Sequence, residues 1–238
     1  MSCTPARTNY AGFVPAALSP ASVHRLVSLL LLLAALPPAQ ARPADWAADI
    51  DHFTQADAVH PPRPDGIVFV GSSSIRFWTT LGEDFPGRNV INRGFGCSEL
   101  ADSVFYEDRL VLAHHPRTVV LYAGENDLAD GKSPEQVAAD FREFRTRLHA
   151  ALPQARLLYL AIKESPSRAR IRDAVLKTNA LIAADCAGDR RCLFVDVASP
   201  LLDAAGHTRP GLFREDQLHM KPAGYAIWVK VLTPLLAP

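Results

Sequence analysis

The chain has 238 residues, 48% of them hydrophobic and 21% charged, which is the composition of a globular protein with one domain or at most two. Lys and Arg together number 25, and Asp and Glu together also number 25. This balance argues against electrostatic attraction to nucleic acid or to an anionic membrane surface, so neither partner is expected.

The first 41 residues have the pattern of a secretory signal peptide. They contain no Asp or Glu, include two arginines, and continue into an apolar stretch, Leu26–Leu36. The small residues Ala39 and Ala41 then predict cleavage after Ala41 and export to the periplasm or the medium. An apolar stretch of about 11 residues is too short to cross a bilayer core of about 30 Å, so no membrane span is expected in the mature chain. The alternative is an uncleaved N-terminal anchor.

A short helix and a linker are predicted before the main domain. Trp46, Ile50 and Phe53 fall at helical spacing, which predicts a helix from Trp46 to Ala58. The proline-rich stretch 60–66 ends this helix and serves as a linker. We therefore expect three segments, which are a signal peptide at 1–41, a helix and linker at 42–65, and one domain at 66–238.

From residue 67 onward, short apolar runs alternate with helical patterns, which is typical of β-α-β units and a parallel sheet. The apolar runs are continuous, as expected for strands buried on both faces. The sequence therefore predicts an α/β fold, a three-layer α/β/α sandwich around five parallel strands with right-handed crossovers. The predicted strands are Ile67–Val70, Asn89–Ile91, Thr118–Tyr122, Arg156–Leu160 and Leu193–Val197. The predicted helices are Glu99–Leu112, Pro134–Leu152, Arg168–Ala184 and Pro222–Leu232.

Polar clusters follow the predicted strands, at the edge where parallel sheets bind their ligands. After the first strand, Gly71 permits a sharp turn, and Ser73 near a helix N-terminus is a candidate nucleophile. A serine needs a base to take its proton, so this interpretation requires a histidine elsewhere. The alternative is that Ser72, Ser73 and Ser74 form only a helix cap and a polar turn. The G-x-S-x-G elbow of α/β-hydrolases is absent, because Ile75 occupies the position of its second Gly.

The next two clusters supply candidate hydrogen-bond donors. The second strand is followed by a loop with Gly94 and Gly96, whose backbone N–H groups would face the site. The third strand is followed by Gly124-Glu125-Asn126-Asp127, where the Asn126 amide can donate to the same point. Donors of this kind stabilise the oxyanion of a tetrahedral intermediate. The alternatives are an ordinary tight connection for the first loop and an Asn/Asp turn or helix cap for the second.

The last cluster contains a candidate general base. In Asp216-Gln217-Leu218-His219, the carboxylate of Asp216 can reach the imidazole of His219, fix its tautomer and stabilise its cation. An Asp three residues before a His is a weak signal by itself. The other histidines are interpreted as surface residues: His114 and His115 as a solvated helix end, His149 as an exposed helix residue, and His207 as a loop residue. None of them has an equivalent acidic partner after a predicted strand.

Taken together and in this order, the four clusters resemble those of the SGNH hydrolases, also called GDSL-like esterases and lipases. The resemblance runs from about Gly66 to the C-terminus, and the Gly-Ser-Ser-Ser-Ile-Arg form of the first cluster resembles one branch of that superfamily. The resemblance implies a flavodoxin-like α/β/α fold and a serine esterase. It also implies roles for individual residues, with Ser73 as nucleophile, His219 as base, Asp216 as the acid that orients the base, and Asn126 as an oxyanion donor.

Two positions depart from the pattern of that family. Ser72 occupies the place of the usual Asp in the Gly-Asp-Ser block. Cys97, five residues after Asn92, occupies the place of the oxyanion-hole glycine. The glycine contributes a backbone N–H, which a cysteine also has. We therefore expect an oxyanion hole formed by the backbone of Ser73 and Cys97 together with the side chain of Asn126.

The residues and the resemblance predict hydrolysis of a carboxylic ester, with a short acyl or acetyl ester of a small molecule or carbohydrate as the expected substrate. Acyl transfer to a sugar hydroxyl and a non-catalytic carbohydrate-binding module are the alternatives. No cofactor or metal is expected, because no group of His, Cys, Asp and Glu has the spacing of a zinc site, and the oligomeric state stays open. Candidates for substrate contact, each of which also has a purely structural explanation, are Arg76, Arg93, Lys163, Phe77, Trp78, Phe95 and Tyr122.

Two cysteines near the last strand are close in sequence. Cys186 and Cys192 lie in a stretch with Gly and Asp, and a disulfide between them suits an exported protein. The alternative is a pair of free thiols.

Overall fold

The fold is built around one sheet of five parallel strands. The computed structural model describes residues 43–236, so the predicted signal peptide at 1–41 lies outside the described residues. The strands lie side by side in the order β2-β1-β3-β4-β5, and every neighbouring pair is parallel. Their bounds are β1 Ile67–Gly71, β2 Val90–Gly94, β3 Thr118–Tyr122, β4 Arg156–Leu160 and β5 Cys192–Val195.

Helices cover both faces of the sheet. Their bounds are α1 Pro43–Val59, α2 Ser73–Arg76, α3 Leu81–Asp84, α4 Leu100–Phe105, α5 Glu107–Leu110, α6 Glu125–Ala129, α7 Pro134–Ala151, α8 Arg172–Ala187 and α9 Pro222–Leu232. One buried apolar cluster joins the sheet to α1, α4, α5, α7 and α8, and a second joins its other face to α2, α3 and α9. The predicted three-layer α/β/α sandwich is confirmed. Within residues 43–236, no helix combines the length and the apolar run that a membrane crossing requires.

The register of the strands brings the loops of the candidate site to one edge. All residues of β1 and β3 are buried, as their continuous apolar sequences predict. Gly71 at the end of β1 pairs with Gly94 of β2 and with Tyr122 of β3. Because the strands are parallel and end in register, the loops that follow these three strands begin side by side.

The predicted single helix Glu99–Leu112 is wrong, because the chain forms two shorter helices, α4 and α5, with Tyr106 between them. Tyr106 has a φ of −95° and a ψ of 10°. This ψ turns the chain away from the axis of α4, and Leu110 of α5 is buried in the same apolar cluster as Val104 of α4.

Two histidines that were predicted to be exposed have buried side chains. The side chains of His114 and His149 are only 7% and 8% exposed. Each has an acidic neighbour from another part of the chain, since His114 Nε2 lies 3.6 Å from Asp57 and His149 Nδ1 lies 3.5 Å from Asp189. Burial, with help from nearby arginines, lowers the pKa of both imidazoles. Asp57 also forms an ion pair with Arg93 of β2, so this group of charges attaches α1 to the sheet.

The predicted disulfide is confirmed. Cys186 in the last turn of α8 is bonded to Cys192 at the start of β5, and their Cα atoms are 5.0 Å apart. The bridge therefore closes the turn between α8 and β5, at the amino-terminal edge of the sheet and away from the candidate site.

Glu107, the first residue of α5, is a fully buried carboxyl group. Its Oε2 accepts a hydrogen bond from Arg147 at 3.1 Å, whereas its Oε1 has no hydrogen-bond partner among the described residues. Burial outweighs the effect of Arg147 and raises the pKa of Glu107 from 4.5 to about 8. The folded state then binds this proton more tightly than the unfolded state, so the contribution of Glu107 to stability falls as pH rises from about 4.5 to 8.

We expect Glu107→Gln to raise the free energy of unfolding at pH 9 by on the order of 2 kcal/mol, and by much less at pH 5. Glutamine keeps the shape of the side chain and removes the buried charge. Urea unfolding at both pH values measures the difference. Asp108→Asn is the matched control, because Asp108 is an exposed neighbour that also pairs with Arg147. An equal change at both pH values would contradict the assignment of a buried, proton-binding Glu107.

Candidate active site

Ser73 is held at the carboxyl edge of the sheet by the sharp turn that ends β1. Gly71 has a φ of 131°, and a Cβ at this position would lie 2.0 Å from the carbonyl oxygen of Tyr122, so only glycine fits. Ser72 donates its backbone N–H to the same carbonyl at 2.9 Å. Ser73 then begins α2 and is nearly buried. Backbone N–H groups in the first turn of a helix have no acceptor within that helix and can bind a negative charge.

His219 lies within hydrogen-bonding distance of Ser73. Its Nε2 is 2.9 Å from Ser73 Oγ, and its Nδ1 is 2.7 Å from Oδ2 of Asp216. An ionised carboxylate can only accept, so the imidazole donates from Nδ1 to Asp216, and Nε2 is left to accept from the Ser73 hydroxyl. The structure thus brings together Ser73, His219 and Asp216, which the sequence predicted as nucleophile, base and orienting acid.

The turn around Asp216 fixes its carboxylate. Oδ1 accepts hydrogen bonds from the backbone N–H groups of Leu218 and His219, each at 2.9 Å. Burial opposes ionisation, but these bonds and the one from the imidazole outweigh it and lower the pKa of Asp216 to about 2. Asp216 therefore carries a negative charge at neutral pH, which can stabilise an imidazolium at His219. On its other side the imidazole packs edge-on against Phe77, with ring centroids 4.7 Å apart.

Asn126 lies on the neighbouring loop, in the first turn of α6. Its Nδ2 donates to the carbonyl oxygen of Ser98 at 2.9 Å, and its Oδ1 accepts from Nη2 of Arg168 at 2.9 Å. Within residues 43–236 no second acceptor contacts the amide nitrogen, so one N–H of Asn126 is left for a ligand. The sequence predictions did not include Arg168. The available signal was a cation shortly after β4, at the same edge of the sheet.

Asp127, in the segment after β3, forms hydrogen bonds that connect it to the segment after β2. Both of its carboxylate oxygens lie 3.1 Å from the backbone N–H of Leu100, and Oδ1 accepts from Lys132 at 3.0 Å. Burial raises the pKa of Asp127 to about 6, and Lys132 opposes this shift. Lys132 also lies 3.2 Å from Glu99 and 2.8 Å from Asp140. This buried network fixes the two loops relative to each other.

Cys97 has a φ of 60°, in the left-handed region that glycine adopts without strain. The position to which the family resemblance assigns a glycine therefore keeps a glycine-like backbone in this chain. The loop is fixed next to it by Ser98, whose hydroxyl donates to the carbonyl oxygen of Phe95 at 2.9 Å.

Most of the predicted candidates for substrate contact are structural. The buried core contains Trp78, Phe95 and Tyr122. Two of the cations form ion pairs within the protein: Arg93 pairs with Asp57, and Lys163 pairs with Glu125. Two of the candidates stay partly exposed: Phe77, which touches His219, and Arg76, which lies 3.8 Å from Asp49.

The chain matches a known family model, and its fold is shared with several solved structures. Residues 65–227 match the model of the GDSL-like Lipase/Acylhydrolase family. A solved structure from Streptococcus pneumoniae has a TM-score of 0.72 at 18% identity, and the match covers 82% of this chain and 94% of that chain. A GDSL-like lipase from Bacteroides thetaiotaomicron has a TM-score of 0.66 at 20% identity, over 79% of this chain and 97% of that chain. An acetylxylan esterase from Geobacillus stearothermophilus has a TM-score of 0.60 at 15% identity, over 74% and 95%.

The comparison with curated protein sequences gave no match. At identities of 15–20% the solved structures establish a shared fold. The family model, by contrast, matches well over half of the chain and includes the loops that carry Ser73, Asn126 and His219. This chain therefore belongs to the GDSL-like lipase/acylhydrolase family of the SGNH superfamily and is a carboxylic ester hydrolase.

Proposed function

We propose that this chain is a serine esterase that cleaves a short acyl or acetyl ester through a Ser73–His219–Asp216 triad and an acyl-enzyme. The observation that carries the proposal is a continuous hydrogen-bond path. Ser73 Oγ is 2.9 Å from His219 Nε2, and His219 Nδ1 is 2.7 Å from Asp216 Oδ2. This order is the one needed to pass a serine proton to an imidazole that a carboxylate stabilises.

The proposed reaction has two halves. First, His219 Nε2 takes the hydroxyl proton while Ser73 Oγ attacks the ester carbonyl carbon, and the carbonyl oxygen becomes an oxyanion. Collapse of this intermediate breaks the bond between the acyl carbon and the alcohol oxygen. The alcohol leaves with the proton from His219, and the acyl group stays on Ser73. Water then attacks the acyl-enzyme as His219 takes one of its protons, and that proton returns to Ser73 as the carboxylic acid departs. Asp216 stays ionised throughout and stabilises the transient imidazolium.

Three donors are proposed to hold the oxyanion. They are the backbone N–H of Ser73 in the first turn of α2, the backbone N–H of Cys97, and the second amide N–H of Asn126. Their support is the position of Ser73 at a helix start, the left-handed φ of Cys97, and the two contacts that orient the Asn126 amide. Loss of one such donor costs about 2.7–4 kcal/mol of transition-state stabilisation.

Cys97→Gly is expected to keep kcat within about tenfold of the original enzyme, because the backbone N–H is retained and glycine readily adopts the same φ. The measurement is kcat on a short p-nitrophenyl ester. Cys97→Ala is the companion variant, since it removes the sulfur but keeps a Cβ. A larger rise in both variants would show that the cysteine side chain impedes the reaction, and a larger loss in both would show that the reaction needs that side chain.

The substrate is proposed to be an ester of a small molecule or carbohydrate. The fold similarity to an acetylxylan esterase supports an acetyl ester. Phe77, half-buried and packed against His219, supplies apolar surface beside the reacting atoms, which suits a short acyl chain.

A panel of esters tests this function. We expect the highest kcat/KM for p-nitrophenyl acetate or butyrate, and release of acetate from an acetylated xylo-oligosaccharide. A clear preference for octanoate would contradict the proposed acyl length. Adding a sugar acceptor and identifying the products separates hydrolysis from acyl transfer, since an acylated acceptor would indicate a transferase. Saccharide binding without turnover of any ester would indicate a binding module.

Export to the periplasm or the medium, after cleavage near Ala41, is part of the same proposal. Its support is the pattern of residues 1–41 and the Cys186–Cys192 disulfide, a bond typical of oxidising compartments. N-terminal sequencing of the exported protein is expected to begin at Arg42. A mature chain that still carries Met1 would contradict it.

A further inference from the structure

Arg168 makes a contact at the candidate site that the four sequence clusters do not contain. It lies in the 3-10 segment Pro166–Ile171, which follows β4 at the carboxyl edge of the sheet. Its Nη2 donates to Oδ1 of Asn126 at 2.9 Å, and its side chain is only 14% exposed. A nearly buried guanidinium is therefore bound directly to the amide that is proposed to face the oxyanion.

The contact between Arg168 and Asn126 fixes the orientation of the Asn126 amide. With Oδ1 bound by Arg168 and one N–H bound by the carbonyl oxygen of Ser98, the second N–H has a fixed direction. A flip of the amide would place Nδ2 against the guanidinium, where two donors face each other, and Oδ1 against the Ser98 carbonyl, where two acceptors face each other. It would also turn an oxygen lone pair toward the oxyanion. Arg168 thus opposes the one rotation that converts the amide from a donor into an acceptor.

Arg168 is itself held by a buried carboxylate. Its Nη1 lies 3.8 Å from Oε1 of Glu125, which also accepts a hydrogen bond from Ser165 at 2.8 Å. Oε2 of Glu125 accepts from Lys163 at 2.6 Å and from the hydroxyl of Tyr122 at 2.8 Å. Burial by itself would raise the pKa of Glu125, but the two cations outweigh burial and lower it. Glu125 therefore stays charged and anchors the guanidinium beside the amide.

We propose that Arg168 is a positioning residue for the oxyanion hole, one that holds the Asn126 carboxamide with its free N–H toward the reacting carbonyl and polarises that N–H through Oδ1. This inference rests on the proposed function, in which Asn126 is an oxyanion donor. Arg168 acts through Asn126, so its effect belongs to the transition state and depends on the presence of that amide.

A double-mutant cycle tests the proposal, with kcat and KM measured on p-nitrophenyl acetate. Asn126→Ala is expected to lower kcat by about 10²–10³-fold, as for other oxyanion donors. Arg168→Met is expected to lower kcat by about tenfold to a hundredfold, with KM changed by less than about threefold. In the Asn126→Ala background the same Arg168→Met change is expected to cost less than about threefold, because the group that it orients is gone. Arg170→Met, at an exposed position two residues away, is the matched control and is expected to leave kcat unchanged.

The alternatives give different results. Equal losses from Arg168→Met in both backgrounds would overturn the proposal, because they would show an effect that does not pass through Asn126. A rise in KM confined to anionic esters would overturn it in favour of direct substrate binding. No loss in Asn126→Ala would instead remove the oxyanion role of Asn126 from the proposed function. Should Arg168→Met fail to fold, Arg168→Lys is put through the same cycle, and its smaller loss is expected to vanish in the Asn126→Ala background.

Discussion

Ser73→Ala is expected to lower kcat for short p-nitrophenyl esters by about 10⁶-fold, the size of effect seen when a triad nucleophile is removed elsewhere. The physical reason is that the variant has no oxygen to form the acyl-enzyme. The residual rate then comes only from water in a site that still has its oxyanion donors. Stability is expected to change little, since the hydroxyl contacts only His219 among the described residues. Steady-state kinetics and thermal unfolding on the same preparation measure both quantities.

Ser72→Ala and Ser74→Ala are the matched controls for this result. Both serines are as buried as Ser73 and belong to the same turn, but the hydroxyl that is hydrogen-bonded to His219 is that of Ser73. Tyr225 donates to the backbone carbonyl of Ser74, and this bond survives the substitution. We expect kcat within about tenfold of the original enzyme in both controls. A loss in a control as large as that in Ser73→Ala would mean that the wrong serine has been assigned as nucleophile.

Asp216→Asn is expected to lower kcat by about 10⁴-fold, with the fold unchanged. The asparagine Oδ1 can still accept from the backbone N–H groups of Leu218 and His219, so the turn is retained. Its amide nitrogen, however, would face His219 Nδ1 as a donor. The imidazole would then carry its proton on Nε2, where it can no longer accept the proton of Ser73.

Glu215→Gln provides the control for Asp216→Asn, because it removes an adjacent, exposed negative charge without touching the imidazole. We expect this variant to keep kcat within about threefold, as is usual for an exposed charge. An Asp216→Asn enzyme within about tenfold of the original would show that His219 is oriented by some other group.

The fold was predictable because strands buried on both faces leave a local signature. The bounds of β3 and β4 match the predicted Thr118–Tyr122 and Arg156–Leu160. The strand β2, by contrast, continues to Gly94, past its predicted end at Ile91. Two of the three added residues, Asn92 and Arg93, are polar, and distant groups satisfy their side chains, as when Asn92 Nδ2 donates to the carbonyl oxygen of Ile75 at 2.7 Å. Local hydrophobicity carries no information about such partners.

The same limit explains why the burial of the His114 and His149 side chains was not predicted. A polar residue in a helix is predicted to be exposed unless its partner is known. The partner of His149 is Asp189, which lies far along the chain, between α8 and β5. For His114 the partner is Asp57 of α1, a helix that the sequence placed in a separate segment, 42–65. Burial of an ionisable side chain depends on pairing, and pairing across elements is a property of the tertiary structure.

The site was more predictable than these details, because parallel strands impose convergence. Once Ser73 and Asn126 were recognised as following β1 and β3, the shared carboxyl edge of the sheet required them to be neighbours. The contact of Arg168 with the site was not predicted, because no sequence pattern connects Arg168 to Asn126, which lies 42 residues earlier. The two residues meet only through the packing of the 3-10 segment after β4.

The most direct measurement of the central claim is the mapping of a fluorophosphonate adduct. The phosphorus of this reagent accepts the serine oxygen that a triad activates, and fluoride leaves. We predict one adduct per chain, located by peptide fragmentation on Ser73, absent from Ser73→Ala and strongly slowed in His219→Ala. An adduct on Ser72 or Ser74, or undiminished labelling of Ser73→Ala, would contradict the account.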